Sequence, residues 1–505
     1  MDPRRAVERS ERAIMNNVSL LKLEVSVLIF ALGMLLLDLW MPRENRRKLG
    51  YLAALGMGLI LISSFVRSPF FLTFQSGQLS YHLPEFAFGQ SYVLDELALF
   101  FKRIFLAAAV LVLLMSAEFA DHIEAGLSEF YSLILFALAG MMFAASANDF
   151  AMLFVSIELI TITFYILTSF QRNRLSSLEA GIKYLILGAL ASAFMVFGIA
   201  LVYGSSGTMS FSELATKATA LAGQPVFLVG LLLLIAGLAF KIAAFPLQIW
   251  APDVYQGAPP PVAAFLAVGS KAAGFVMLLR VLFSALPLDL VSHWRGLLMA
   301  MAAITILYGS LCAIPQRNLK RLLGYSSIAN AGFILLGIAA LSNAGKAAVL
   351  YYLGGYLFTI LAAFTVLCVV LRQADIEDLS ALAGLHQRAP TLAAAMTLAM
   401  VSLAGIPPLA GFFGKFLLLR AAIEQGPTYY WLIGVAIVGI VISLYYYFGV
   451  IRAIYWAHPP VDLAPIPVSW PTKISLGVCI AGMLYLGIYP ATVLHMTDRV
   501  LAGWK

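Results

Sequence analysis

Apolar runs of about 20 residues alternate with short polar turns along almost the whole chain, and the alternation repeats about fourteen times. A run of that length is what an α-helix needs to cross the hydrocarbon of a bilayer. Lipid offers the backbone no hydrogen-bond partners, so such a run must be helical. The pattern predicts spans near 20–40, 49–66, 94–117, 128–147, 150–170, 179–203, 226–256, 259–284, 296–314, 320–341, 346–371, 390–424, 428–456 and 471–490. The polar, aromatic stretch 67–93 reads as a small hairpin outside the membrane, and 205–224 is too polar to span and reads as a short surface helix. The first 17 residues are charged with mixed sign and lead into the first span without a small-residue cleavage site, so they read as a polar tail on an uncleaved helix.

Two spans are interrupted. The seventh breaks at Pro246, Pro252 and the triplet Pro259 to Pro261, and the twelfth at Pro407 and Pro408. Proline removes backbone hydrogen bonds that lipid cannot replace. Beside these breaks stand lysines: Lys241 before the first, Lys271 in the next span, and Lys415 after the second. A lysine at the centre of a spanning helix costs about 3 kcal/mol unless it faces a partner or water. Broken helices beside intramembrane charges, in corresponding positions of two halves of a chain, are the sequence sign of inverted repeats and of an ion site near the midplane. The chain therefore reads as one that moves ions or protons.

Composition sharpens this reading. The 505 residues are 62% hydrophobic and only 11% charged, far from the roughly 25% charged composition of soluble domains. The net charge of +7 is not a nucleic-acid footprint, because no basic cluster is interleaved with exposed aromatics. Cys312, Cys368 and Cys479 are isolated in apolar runs, and His82, His122, His293, His386, His458 and His495 fall mostly in loops or at span ends, without HxxxH or HExxH spacing. Neither a disulfide framework nor an iron–sulfur or other metal site is legible. With no nucleotide fingerprint either, any redox or nucleotide energy must come from a partner.

Lysine and arginine in short loops set orientation. They collect in the odd-numbered loops: Arg43, Arg46, Arg47 and Lys48 in the first, Arg172 and Arg174 in the fifth, Arg317, Lys320 and Arg321 in the ninth, Arg372 and Arg388 in the eleventh. Odd loops are thus expected in the cytoplasm and both termini outside, although the tail carries Arg4, Arg5, Arg9 and Arg12 against that trend.

Among the charges within spans, Glu158 has no other ionisable residue in its run, and Lys183 lies in a small-residue stretch near a span start. Glu158, Lys183, Lys241, Lys271 and Lys415 are the candidate proton carriers. Arg280 is expected to snorkel from its helix end, Asp253 to cap a helix, and Asp95, Glu96, Lys102 and Arg103 to anchor the start of the third span at the interface. Moving one charge against roughly 180 mV costs about 4 kcal/mol, or about three pKa units. Bringing a buried carboxylate to a lysine and withdrawing it supplies a shift of that size. Glu158 approaching and leaving Lys183 or Lys241 is the switch this arithmetic suggests.

The stretches SIELITITFYIL, EAGIKYLILGALASAF, FKIAAFPLQIWAPDVYQGAPPPV, NLKRLLGYSSIANAGF and LAGIPPLAGFFGKF, with the tyrosine run Tyr445 to Tyr447, cover most of residues 92–456. Together they resemble the antiporter-like subunits of proton-pumping NADH:quinone oxidoreductase, respiratory complex I. Lysine at position 415 favours the subunit N (subunit 2) branch over the subunit M branch, which is glutamate-like there. The resemblance implies an all-α polytopic fold of about fourteen transmembrane helices with two inverted five-helix repeats and broken helices 7 and 12. It divides the chain into helices 1–3 over 1–127, a first repeat over 128–290, a second over 291–456, and helix 14 with a tail over 457–505. It implies a proton pathway through Glu158, Lys183, Lys241, Lys271 and Lys415. No cofactor is expected in this chain; NADH, FMN, iron–sulfur clusters and quinone belong to partner subunits, which include a paralogous antiporter-like chain. The resemblance implies a translocase subunit in the plasma (inner) membrane, without a redox centre of its own. Family members often carry histidine where this chain has Gln248 and Asn330, and neither of these titrates near neutral pH. Rival readings are a subunit of a multi-subunit cation/proton antiporter or membrane-bound hydrogenase, a non-conducting assembly subunit, and a free-standing permease.

Overall fold

The computed structural model describes residues 18–42, 45–66, 74–75, 78–79, 84–123, 126–372, 377–457 and 464–504. The arginines of the tail, Arg43, His82, Glu124 and His458 lie outside the described residues. The described chain is almost entirely helical. In order come α1 (Lys22–Asp38), α2 (Arg47–Val66), two short antiparallel hairpins, β1 (Phe74–Gln75) with β2 (Gln78–Leu79) and β3 (Glu85–Ala87) with β4 (Tyr92–Leu94), then α3 (Glu96–Glu118), α4 (Leu127–Ala145), α5 (Phe150–Thr168) and α6 (Leu175–Ser206). The surface helix α7 (Phe211–Leu221) precedes α8 (Pro225–Ile242), α9 (Trp250–Gly257), α10 (Pro260–Ala285), α11 (Leu288–His293), α12 (Arg295–Ala313), α13 (Leu319–Ala339) and α14 (Asn343–Leu371). The chain closes with α15 (Pro390–Ala404), α16 (Ala410–Ile423), α17 (Tyr430–Tyr455), α18 (Trp470–Ile488) and α19 (Pro490–Gly503). Twelve of the described helices are long and apolar enough to cross a membrane. The first predicted span yields only the 17-residue α1, and the twelfth yields the two short halves α15 and α16.

Burial ranks the helices. The apolar windows of α10 and α13 are 100% buried, whereas those of α2 and α6 are only 33% buried. α10 is enclosed by α3, α4, α8 and α14, and α13 by α9, α12, α14, α16 and α17. With lipid as apolar as the side chains, helices gain from close backbone contact, which small residues permit. At Gly309 of α12 a Cβ would stand 2.3 Å from the Ala329 nitrogen of α13, so only glycine fits that crossing.

The two predicted breaks are present, and the groups they free find partners. α8 stops at Ile242, and Ala243 takes a left-handed conformation at φ 56°, a cost of roughly 1 kcal/mol for a residue with a Cβ. Beyond it the Phe245 N–H donates to Thr305 Oγ1 of α12 at 3.0 Å, and Trp250 Nε1 donates back to the Phe240 carbonyl at 2.9 Å. The second break starts at Gly405, φ 84°, and the Ser402 hydroxyl accepts from the Gly411 N–H at 3.2 Å.

Two expectations from the sequence are overturned here. Arg280 does not snorkel: it is 2% exposed and forms a fork with Asp95 at 2.8 and 3.1 Å, while its Nε donates to the Ala145 carbonyl at 2.7 Å. Its helix end lies against α3 and α4, leaving no route to the interface. Nor are all the charges opening α3 interface anchors. Asp95 caps the helix by accepting from the Ala98 N–H at 2.7 Å, but Lys102 is fully buried against Glu24 of α1 at 2.7 Å and donates to Tyr92 Oη at 2.7 Å. These pairs fasten α1 and α10 to α3. On the opposite end of α3, Glu118 collects Arg372 at 2.5 Å, Ser469 Oγ at 2.6 Å and Arg47 at 3.4 Å, joining α2, α14 and the start of α18.

Candidate functional site

Three of the candidate carriers, Lys241, Lys271 and Lys415, are buried in the interior near the two breaks. On α5 the half-buried Glu158 accepts from Ser192 Oγ of α6 at 2.6 Å. One turn further, Thr161 Oγ1 accepts from the buried Lys241 ammonium at 2.9 Å, while its own proton goes to the Ile157 carbonyl. Ser192, Thr161 and Lys241 border a cavity of about 10 Å³ with Gly188 and Gly237, about the volume that one water centre needs. Lys241 thus lines this small chamber, and Glu158 is bonded to Ser192 on its wall without touching the lysine.

Lys183 stands elsewhere. Its side chain is 44% exposed and pairs with Glu179 at 2.7 Å and Asp253 at 2.9 Å. In this conformation it is not joined to Glu158, and Asp253 is not the helix cap expected of it. Asp253 lies on α9, whose start is capped by no side chain, and its second oxygen accepts from Arg321 of α13. The carboxylate is shared between two cations and staples α6 to α13 across the break.

Lys271 lies on α10, and one turn later Gly274 faces the other lysine: a Cβ there would stand 3.2 Å from Lys241 Cγ. The Lys271 ammonium donates to the Ser327 carbonyl at 2.7 Å and to Ser327 Oγ. That hydroxyl also accepts from Tyr356 Oη at 3.1 Å and meets Tyr255 Oη at 3.0 Å. With two donors already on its oxygen, Ser327 has its own proton to give to Tyr255. One turn along α13, Asn330 accepts from Tyr352 Oη at 2.5 Å and donates to the Ser326 carbonyl at 2.9 Å, and Ser326 Oγ meets Tyr447 Oη at 2.6 Å. Asn330 is therefore a fixed member of a buried amide–hydroxyl network. Gln248 is buried as well, in the first break.

Lys415 on α16 is buried, donates to the Leu403 carbonyl at 2.6 Å and rides 4.9 Å from the centre of the Phe333 ring. Leu403 lies in the last turn of α15, so the ammonium takes up an acceptor that the second break sets free. Leu403 also lines a cavity of about 10 Å³ with Tyr352, Tyr356, Thr359 and Ser402. That cavity lies between the Lys271 network and the Lys415 site.

Lys241, Lys271 and Lys415 are thus buried and the half-buried Glu158 is bonded to Ser192, while Lys183 sits apart from them. Sequence reading passed over the hydroxyls that connect them: Thr161, Ser192, Tyr255, Ser327, Tyr352 and Tyr356. Tyr352, Tyr356 and Thr359 recur at helical spacing on α14, which was a usable signal. In the sequence Lys320 counts only as a loop charge. It is fully buried, pairs with Glu377 at 3.0 Å and donates to the Ala258 carbonyl at 3.1 Å.

Comparison with known proteins agrees with this architecture. The sequence profile described as NADH:quinone oxidoreductase/Mrp antiporter, TM, matches residues 147–443. A protein of Moorella thermoacetica named NADH-quinone oxidoreductase subunit N is 40% identical, over 94% of this chain and 96% of its own. One of Methanosarcina mazei named F(420)H(2) dehydrogenase subunit N is 36% identical, over 96% and 98%. Among solved structures, a chain of respiratory complex I from Thermus thermophilus superposes with a TM-score of 0.76 at 32% identity, covering 94% of this chain and 98% of that one. A chain of the Mrp complex from Dietzia sp. reaches 0.79 at 22% identity, covering 95% and 97%, a likeness of fold. With a profile spanning more than half its length and relatives matched nearly end to end, this chain belongs to the NADH:quinone oxidoreductase/Mrp antiporter membrane family, on its subunit N branch.

Proposed function

We propose that this chain is a proton-translocating membrane subunit of a quinone-reducing respiratory complex, moving protons along Glu158, Lys241, Lys271 and Lys415 while partner subunits supply the redox chemistry. The observation that carries the reading is the succession of buried ammonium groups, each bonded to a hydroxyl or to a carbonyl freed at a helix break. Such groups are costly in lipid unless they serve a pathway. Lys183 joins through its pair with Asp253: if Glu158 and Asp253 compete for it in different conformations, its charge is held alternately on two sides of α6. Residues 128–290 and 291–456 then act as two inverted repeats, each with a lysine beside a break that starts at a left-handed residue. The basic odd-numbered loops support a cytoplasmic position for that face.

The relatives' names pair such a chain with two electron donors, NADH and F420H2, and NADH is the one carried by the more similar relatives. The rival antiporter reading rests on the shared family profile and a fold likeness, without a relative named for it among the more similar ones described above. The first experiment is gentle solubilisation of the tagged protein. Co-purification with flavin and iron–sulfur absorbance and quinone-reductase activity is expected. Recovery with cofactor-free membrane subunits and sodium-dependent transport would refute the redox reading in favour of the antiporter. In the intact complex, Lys241→Ala is expected to abolish pumping.

A further inference from the structure

A second line of polar groups leaves the interior along the seam between α9 and α13. At its outer end Glu377, with a side chain only 16% exposed, accepts from Arg174 at 2.8 Å, Lys320 at 3.0 Å and Asn318 Nδ2 at 3.3 Å. Backbone pairing holds it there: Leu319 N–H donates to the Glu377 carbonyl at 3.0 Å, and Leu379 N–H to the Arg317 carbonyl at 2.9 Å. Lys320, with no exposed side chain, reaches from Glu377 to the Ala258 carbonyl at the junction of α9 and α10. One turn along α13, Gly324 lets α9 come so close that a Cβ would stand 3.0 Å from Pro252 Cα and 3.4 Å from Tyr255 Cβ. Ser327 follows, bonded to Tyr255 and Lys271. Residues 320, 324 and 327 share one face of α13, and that face leads from a partly exposed carboxylate to Lys271.

We propose that Glu377 and Lys320 form the mouth of a proton branch that reaches Lys271 along this seam. It rests on the axis reading above and adds residues that the axis does not contain. A surface proton neutralises Glu377 and releases the Lys320 ammonium from its partner. Lys320 passes its own proton inward, through water and the Tyr255 and Ser327 hydroxyls, to a neutral Lys271. Glu377 then hands its proton to Lys320 and is ionised again. One proton has moved from the surface to Lys271, and both mouth residues have regained their charges. Arg174 fixes the Glu377 carboxylate without lying on the route.

The test uses the whole complex in proteoliposomes, with protons moved per quinone reduced as the readout. Glu377→Gln and Lys320→Met are expected to lower that ratio at least fivefold, Glu377→Asp to restore it, and Arg174→Gln to change it less than twofold. The solvent deuterium effect on pumping is expected to rise in Glu377→Asp, whose shorter side chain lengthens the first transfer. Lys271→Ala reports on the axis. Parent-like pumping in Glu377→Gln and Lys320→Met, where Lys271→Ala abolishes it, would overturn the branch and leave the axis standing. Parent-like pumping in all three overturns both. Loss in Glu377→Gln matched by equal loss in Arg174→Gln and Glu377→Asp, with reduced assembly, assigns Glu377 to holding its loop and overturns the proposal.

Discussion

Replacing Thr161 by valine is the most economical probe of the axis. Valine keeps the volume and β-branching of threonine and removes one oxygen, the acceptor 2.9 Å from the Lys241 ammonium. Among the described residues that oxygen is the ammonium's hydrogen-bond partner, and Glu158 does not replace it. A buried hydrogen bond to a charged group contributes about 1.5–3 kcal/mol. At 1.36 kcal/mol per decade, the charged form of Lys241 is expected to be about ten- to a hundredfold harder to hold. The helix itself loses little, because the Thr161 proton was spent on the Ile157 carbonyl of its own helix. Assembly is therefore expected to match the parent, and the deficit to fall on transport. The assay is acidification of proteoliposomes per quinone reduced, with a pH-sensitive dye, at equal content of the complex. Thr161→Val is expected to pump at least tenfold more slowly and Thr161→Ser near the parent rate. Pumping within twofold of the parent in Thr161→Val would mean that Lys241 is charged and discharged without its neighbour on α5, and the chamber between α5, α6 and α8 would lose its assigned role.

Three further outcomes can be checked by stability alone. Arg280→Met strands Asp95 in the interior, so a loss of about 3–5 kcal/mol is expected; a lowered unfolding temperature that the double variant with Asp95→Asn largely restores is the signature. Gly309→Ala sets a methyl 2.3 Å from the α13 backbone and is expected to cost about 1–3 kcal/mol by overpacking, whereas Gly296→Ala, with nothing within 4 Å, is expected to be silent by the same thermal assay. Burial raises the proton affinity of Glu377, but Lys320, Arg174 and Asn318 outweigh it and leave the carboxyl below the ordinary glutamate value. Its contribution is therefore complete above about pH 4.3 and is lost as pH falls through the depressed value. Hydrogen exchange in 377–382 is expected to accelerate below that range in the parent and to lose this acid step in Glu377→Gln.

The architecture was legible because lipid leaves the backbone so few choices. Apolar runs had to be helices, and the prolines at 246 and 407–408 had to be breaks. The same cost argument found Lys241, Lys271 and Lys415, since each is a charge where hydrocarbon permits none without a reason. It failed where a charge's partner lies far along the chain. Arg280 looked like a helix-end residue, yet its partner Asp95 is 185 positions away. Asp253 looked like a cap, yet it is held by Lys183 and Arg321. The hydroxyls of Ser327, Tyr356 and Thr161 were invisible for another reason: serine, threonine and tyrosine cost little in an apolar helix, so their presence carries no alarm. Only the approach of Ser327 on α13 to Lys271 on α10, and of Thr161 on α5 to Lys241 on α8, shows which of them meet a lysine.

The lysines beside the two breaks end on different atoms. Lys241 gives its proton to a side-chain hydroxyl, and Lys415 gives its proton to the backbone carbonyl of Leu403. A hydroxyl can take a proton on one side and release another on the opposite side; a carbonyl only accepts. On the proposed axis Lys241 thus meets a group that conducts once its own proton turns away from the Ile157 carbonyl, whereas Lys415 is parked against an end stop and can exchange only through its other two protons. On that axis the first break is built like a relay and the second like a terminal, although each sets a lysine beside a broken helix.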